Sequence, residues 1–138
     1  MGALEKRKLW SLDIKNACRE ADPFQREVYL HAPPEWCPTN PNRVWKLNAP
    51  AYGLNDAPVA FHRSLKRYLA QHAVSVKMIG LKFTGSTLDP RLYLVCNKED
   101  EAAGVVSTHI DDILGRGVPG VLERTRYFLE QRFGPLKT

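Results

Sequence analysis

Two hydrophobic periods coexist in this 138-residue chain, and that restricts its fold more than any other feature. In LWSLDI, residues 9–14, Trp10, Leu12 and Ile14 point one way and Leu9, Ser11 and Asp13 the other. That is the two-residue repeat of a strand, with Asp13 on its more polar face. EVYLH (27–31), RVWKLN (43–48), RLYLVCN (91–97) and GVVSTHI (104–110) also read as strands. The period then changes. In residues 55–73, Phe61, Leu65, Tyr68 and Leu69 recur at helical spacing, with Asp56 suited to the N-cap and Pro58 to the first turn. In VPGVLERTRYFLEQRFG, Val121, Leu122, Thr125, Phe128, Leu129 and Phe133 form one stripe, and Gly134 is a natural stop. SVKMIGLKFTG (75–85) has no clean period and is expected to be a short extended pair. APPEWCPTNPN (32–42) carries four prolines and must be an extended loop. KEDEAAG (98–104) reads as an acidic turn, and Asp111 and Asp112 as a tight turn before ILGRG. Hairpins among the strands, with two helices, predict an α+β fold: a small antiparallel or mixed sheet with helices on one face.

The length suits one domain or a piece of one. Hydrophobic residues make up 43% and charged residues 25%, ordinary values for a globular chain. No apolar run approaches the roughly 20 residues of a membrane span. MGALEKRKLW has no signal-peptide core, and Lys6 stands where a myristoylation signal wants Ser or Thr. The expectation is therefore no membrane and no secretion, with the chain in the cytoplasm or nucleus. Cys18, Cys37 and Cys96 have no zinc or disulfide spacing and read as reduced thiols, Cys96 in a strand core. The net charge of +5 and pI near 9.2 permit nucleic-acid binding without demanding it. Arg63, Lys66 and Arg67 line the polar side of the first helix. A solvated face is the ordinary reading of such a row, and a phosphate-facing surface is the functional one.

HIDDILG, residues 109–115, sets two aspartates side by side in a greasy segment. A doublet alone is a common turn device. It gains meaning from Asp13, another acid near a strand end. If the two strands are neighbours, the carboxylates converge and repel unless a cation sits among them. Hard oxygen donors suit Mg²⁺, and a pair of such ions about 3.5–4 Å apart suits phosphoryl displacement.

Five collinear segments then carry a resemblance. LDIKNAC, REVYLHAPPEW, VWKLNAPAYGLNDAPVAF, LDPRLYL and HIDDILG follow the order and spacing of motifs in reverse transcriptases of Ty1/copia-type retrotransposons. The chain resembles that family from about residue 9 onward. The resemblance implies a partial reverse-transcriptase palm over residues 9–138, with residues 1–8 as a basic N-terminal remnant (Lys6, Arg7, Lys8) and with fingers and thumb largely missing. It implies Mg²⁺-dependent, template-directed nucleotidyl transfer from a dNTP to a primer 3′-hydroxyl, with two Mg²⁺ ions or Mn²⁺ instead. RNA or DNA primer-template, dNTP and the rest of a retrotransposon polyprotein are the implied partners. Asp13, Asp111 and Asp112 match the catalytic carboxylates; Asp13 and Asp111 would bridge the metals, the Ile14 carbonyl would help hold one, and Asp112 would be the less direct partner. One ion would lower the pKa of the primer hydroxyl and the other would hold the triphosphate. Ile14, Cys18, Tyr52 and Gly53 match the nucleotide-binding positions, although Tyr52-Gly53 also reads as a plain turn before a helix. Two other readings are a nucleic-acid-binding remnant without catalysis, using Arg63, Lys66 and Arg67, and a relic or domesticated fragment.

The chain also departs from the pattern. Cys18 replaces the usual Phe that packs under the sugar, which predicts weaker rejection of ribonucleotides. His109 stands for Tyr before the doublet, and Asn55-Asp56 for Lys-Gln, which removes a positive charge.

Overall fold

A computed structural model describes residues 8–138. The basic residues Lys6 and Arg7 lie outside that range. The elements are β1 (Leu9–Asp13), β2 (Tyr29–His31), β3 (Val44–Lys46), α1 (Ala57–Leu69), α2 (His72–Ile79), β4 (Lys82–Gly85), β5 (Leu92–Cys96), β6 (Ala102–His109), β7 (Asp112–Gly117) and α3 (Val121–Phe133). Five strands form one sheet in the order β1-β7-β6-β5-β4, every pair antiparallel, and β2 pairs with β3 in a separate two-stranded ribbon. The α+β expectation therefore holds, with three helices among the described residues where two were expected, and no parallel pairing among them.

One face of the sheet builds the core. Leu12 and Ile14, Ile113, Val106, Tyr93 and Val95, and Leu81 and Phe83 are buried together with Phe61, Leu65 and Leu69 of α1, Ile79 of α2, and Val121, Phe128, Leu129 and Phe133 of α3. The two helical stripes read from the sequence are thus the inward faces. Aromatic stacking joins the layers: Tyr68 of α1 lies 4.5 Å from Phe128 of α3, and Phe128 lies 6.0 Å from Phe83 of β4, centroid to centroid. Burial of this kind is worth about 25 cal/mol per Å² of apolar surface. Trp10 of β1 lies across Gly115, its cross-strand partner in β7, where a Cβ would come within 2.1 Å of the indole. Any side chain there would displace Trp10, so the glycine is what lets the two strands and the indole pack.

Local sequence misleads at two places. Residues 75–85 are not an extended pair; the chain is helical to Ile79 and only then enters β4. Val74 and Val76 favour a strand by propensity. Packing of Ile79 and Ser75 into the interior overrides this, and a hydrogen bond of 2.6 Å between the His72 ring nitrogen and the Phe83 carbonyl oxygen ties α2 to β4. α1 correspondingly stops at Leu69 instead of running to residue 73. Asp56 occupies the N-cap position, but its side chain makes no cap bond. It accepts instead from the Arg26 guanidinium at 2.8 Å. The β5–β6 turn closes early, because β6 begins at Ala102, and Gly104 lies inside that strand. All three cysteines are buried and free, with Cys96 at the end of β5.

Among the described residues, no helix packs on the other face of the sheet. Directly opposed residues of antiparallel strands project to the same side. Ser11 opposes Leu114, which opposes Ser107; Leu9 opposes Arg116, which opposes Val105 and then Leu94. Leu9, Leu94, Val105 and Leu114 are all exposed there.

Candidate active site

The expected neighbours are neighbours: β1 pairs directly with β7, with Asp13 opposite Asp112. The Ile14 N–H donates to the Asp111 carbonyl oxygen at 2.9 Å. That bond makes Asp13 and Asp112 a non-hydrogen-bonded pair, the closer of the two antiparallel spacings, with Cα atoms about 4.5 Å apart. Ile14 itself is fully buried. It holds the acidic hairpin against the end of β1 through its backbone while its side chain anchors in the core.

The doublet does not sit wholly in the turn, as expected. β6 ends at His109 and β7 begins at Asp112, which leaves Ile110 and Asp111 as a two-residue loop. Ile110 has φ of 52°, the left-handed region, at the first loop position where hairpins of this length favour glycine. A β-branched residue there is strained, by about 1–3 kcal/mol. His109 is exposed and lies directly opposite Asp112.

The doublet straddles the loop and the strand: Asp111 lies in the loop and Asp112 is the first residue of β7. Asp112 faces outward beside Asp13 on the open sheet face. Asp111 acts on the other groups singled out from the sequence. Burial, and then the charge of Asp111, pushes the Cys18 thiol up. Tyr52 is also pushed up, first by desolvation, then by Asp111, with smaller effects from Cys18 and Asp13, while the Ala17 backbone pulls the other way. Asp13, Asp111, Cys18 and Tyr52 therefore share one electrostatic neighbourhood, although residues 13–18, 52 and 111 come from three separate parts of the chain. Cys18 sits in a short 3-10 turn, Ala17–Glu20, entered through Asn16 at φ 56°. Its side chain is only 1% exposed, whereas Tyr52 is 56% exposed. Gly53 follows at φ of 91° with no atom near its missing Cβ, so conformation and not space requires glycine there.

The compact three-carboxylate cage is not formed. Among the described residues, no three His, Cys, Asp or Glu side chains gather closely enough to hold an ion. Asp112 begins β7 opposite Asp13, whereas Asp111 belongs to the loop and acts, with Asp13, on Tyr52. The donor chemistry nevertheless suits a hard divalent cation. Asp13 and Asp112 occupy directly opposed positions of two strands, and among the described residues no Lys or Arg forms an ion pair with Asp13, Asp111 or Asp112. Asp13, Asp111, Asp112 and the Ile14 carbonyl are the groups available to such an ion.

The basic row on α1 is not uniform. Arg63, Lys66 and Arg67 are all exposed. Arg67 forms an ion pair with Asp22, whose N–H donates to Ser64 Oγ at 2.9 Å, so Arg67 ties a loop to the helix. Arg63 borders a hollow of about 350 Å³ with Arg26 and Asp56. Lys66 belongs with Arg91, a cation the sequence reading passed over. Burial first, then the charges of Arg91 and Lys66, hold the His62 imidazole below its ordinary value, against a smaller opposing effect of Asp89. Arg91 lies in LDPRLYL, next to β5, and only the pairing of β5 into the sheet brings it to α1. Among the described residues no helix is long and apolar enough to cross a membrane.

Known proteins agree with the motif reading. A family model described as reverse transcriptase (RNA-dependent DNA polymerase) matches residues 1–133. A retrovirus-related Pol polyprotein from transposon RE1 of Arabidopsis thaliana is 31% identical over 124 residues, which is 88% of this chain. The match spans 8% of that polyprotein's length. With most of the chain matched and the acidic hairpin paired to β1, this protein belongs to the reverse transcriptase (RNA-dependent DNA polymerase) family.

Proposed function

We propose that residues 9–138 are the palm-like part of a Ty1/copia-type reverse transcriptase, with residues 1–8 as a basic lead-in, and that Asp13, Asp111 and Asp112 are its catalytic carboxylates. The observation that carries this reading is the register that sets Asp13 opposite Asp112 and bonds Ile14 to Asp111. Bound Mg²⁺ or Mn²⁺ would favour ionisation of the primer 3′-hydroxyl and neutralise the dNTP triphosphate. The chain's own share is position and field. Asp13 and Asp112 present oxygens on the solvent-facing side of the sheet. Asp111 sets a negative potential beside Tyr52 and Cys18, the candidate nucleotide-binding positions with Ile14 and Gly53. The buried Ile14 and Leu12 keep β1 from shifting under that repulsion.

The test is a Mg²⁺ titration of the ¹⁵N-labelled chain. The amides of Asp13, Asp111 and Asp112 should shift together and saturate, and Asp13→Asn should abolish the response. Absence of any saturable shift in the native chain contradicts the metal site.

A second reading has its own support. Lys66 and Arg91 form a positive locus beside His62 that no acidic ion pair cancels among the described residues. A binding module for nucleic-acid phosphates, without catalysis, would use that locus with Arg63. Loss of Mg²⁺ response together with retained, salt-sensitive binding to a primer-template favours this reading over the first.

A further inference from the structure

A hollow of about 580 Å³ opens where α2, α3 and the β5–β6 turn meet, a volume suited to a small molecule. That turn and the β6–β7 loop lie at opposite ends of β6. The eight residues of β6 span about 25 Å at the rise of a strand, so the hollow is separate from the acidic hairpin. Gly80 lines it at the C-terminal end of α2, in the left-handed conformation with φ of 66°. Two cations converge on this glycine. A Cβ there would stand 3.2 Å from Lys98 Cε and 3.9 Å from Arg124 Nη1, so the absent side chain is what lets them come together. The Arg124 guanidinium is fixed in place: Nε donates to the Gly120 carbonyl at 3.1 Å and Nη1 to the Ile79 carbonyl at 3.4 Å. Lys77 lines the same hollow, and among the described residues none of the three cations forms an ion pair. Stapling α2 to α3 explains Arg124 and leaves the unpaired Lys77 and Lys98 unexplained.

The rest of the lining supplies two other kinds of contact. Tyr127 and Met78 are exposed beside the cations and offer a ring face and a polarizable thioether. Glu99 and Glu123 add two carboxylates. Three cations against two carboxylates leave a single positive charge, which matches one phosphate group better than a polyphosphate. We propose that this hollow is a second binding site, for a nucleoside monophosphate unit whose base carries an amino group. Lys98, Arg124 and Lys77 take the phosphate through charge-assisted hydrogen bonds. The base stacks on Tyr127, and its amino group donates to Glu99 or Glu123. A free nucleotide and the end of a nucleic-acid strand share this chemistry. No divalent cation takes part, so the inference stands apart from the metal-site reading.

The test uses the full ¹⁵N-labelled chain in EDTA, with AMP, IMP, ribose 5-phosphate and adenosine as probes. AMP should shift the Gly80, Lys98, Arg124 and Tyr127 amides together and saturably, and leave those of Asp13 and Asp111 in place. Lys98→Gln should weaken AMP about tenfold at low salt and less at high salt, and Lys98→Arg should behave as the native chain. Tyr127→Leu should weaken AMP about tenfold and leave ribose 5-phosphate unchanged. Both side chains are exposed, so neither change threatens the core. IMP, whose ring lacks the amino group, should bind more weakly than AMP. Tighter binding of a 5′-phosphorylated tetranucleotide than of AMP assigns the site to a strand end; equal or weaker binding assigns it to a free nucleotide. Absence of a saturable AMP shift at Gly80 and Lys98, or equal affinity for AMP and adenosine, overturns the site. Equal affinity for AMP and ribose 5-phosphate overturns the base contact, and equal affinity for AMP and IMP overturns the carboxylate contact.

Discussion

Tyr93 shows how a single buried group can control stability. Its side chain is 2% exposed, in the core face of β5, and its hydroxyl has no hydrogen-bond partner. Burial pushes its ionisation up to about 12. The sign of the resulting pH dependence follows. Below about pH 10 the phenol is protonated in folded and unfolded chains alike, and its contribution is constant. Above that, the unfolded chain releases the proton and the folded one keeps it, so stability falls by about 1.4 kcal/mol per pH unit until about pH 12. Tyr93→Phe removes both the unpaired hydroxyl and the ionisation. The expected result in urea unfolding is a gain of about 1 kcal/mol at pH 7 and a shallower loss between pH 10 and 12. An unchanged alkaline slope would place the sensitivity elsewhere. At the site the same physics operates more gently: Tyr52 and Cys18 are raised partly because Asp111 is charged nearby.

Among the elements, the β6–β7 hairpin does most to shape the site. A two-residue loop is the shortest way to turn β6 back into β7, and it sets His109 opposite Asp112. The cost falls on Ile110, held at φ of 52° with no glycine to relieve it. Replacing it with Gly should raise the urea midpoint by the equivalent of about 0.5–1 kcal/mol, strain relief exceeding the added chain entropy. A lower midpoint would mean that the Ile110 side chain contributes more by packing than its backbone costs. The Ile14-to-Asp111 hydrogen bond should survive this change, since it depends on backbone atoms alone.

At the scale of the whole molecule, the fold sorts its two faces. Helices and core occupy one side of the sheet; acids and exposed aliphatics occupy the other. The surplus of five positive charges is distributed unevenly, with Arg67 spent on Asp22 and Lys66 left beside Arg91. If nucleic acid binds through this locus, Lys66→Ala should lower the slope of log affinity against log salt by about 1. Arg67→Ala should change the slope less, because Asp22 already neutralises that charge. Fluorescence anisotropy with a labelled primer-template across a salt series measures both. Equal slopes for Lys66→Ala and the native chain would remove Lys66 from the contact surface.

Periodicity was enough to reveal both long helical stripes, the strands around Leu12, Val95 and Val106, and the α+β class, because solvent sorts side chains by face at the repeat of each element. The ordered motifs were enough to reveal the family, because each is a short contiguous run. Other features depended on contacts between distant segments. Residues 75–79 became a helix through burial of Ile79, against their local propensity. The doublet was divided between loop and strand, with Asp112 opposite Asp13 in the sheet and Asp111, in the loop, acting on Tyr52 and Cys18. Arg91 acquired its neighbours only when β5 joined the sheet. Local pattern encodes which face a side chain prefers; only the pairing of strands decides which other side chains it meets there.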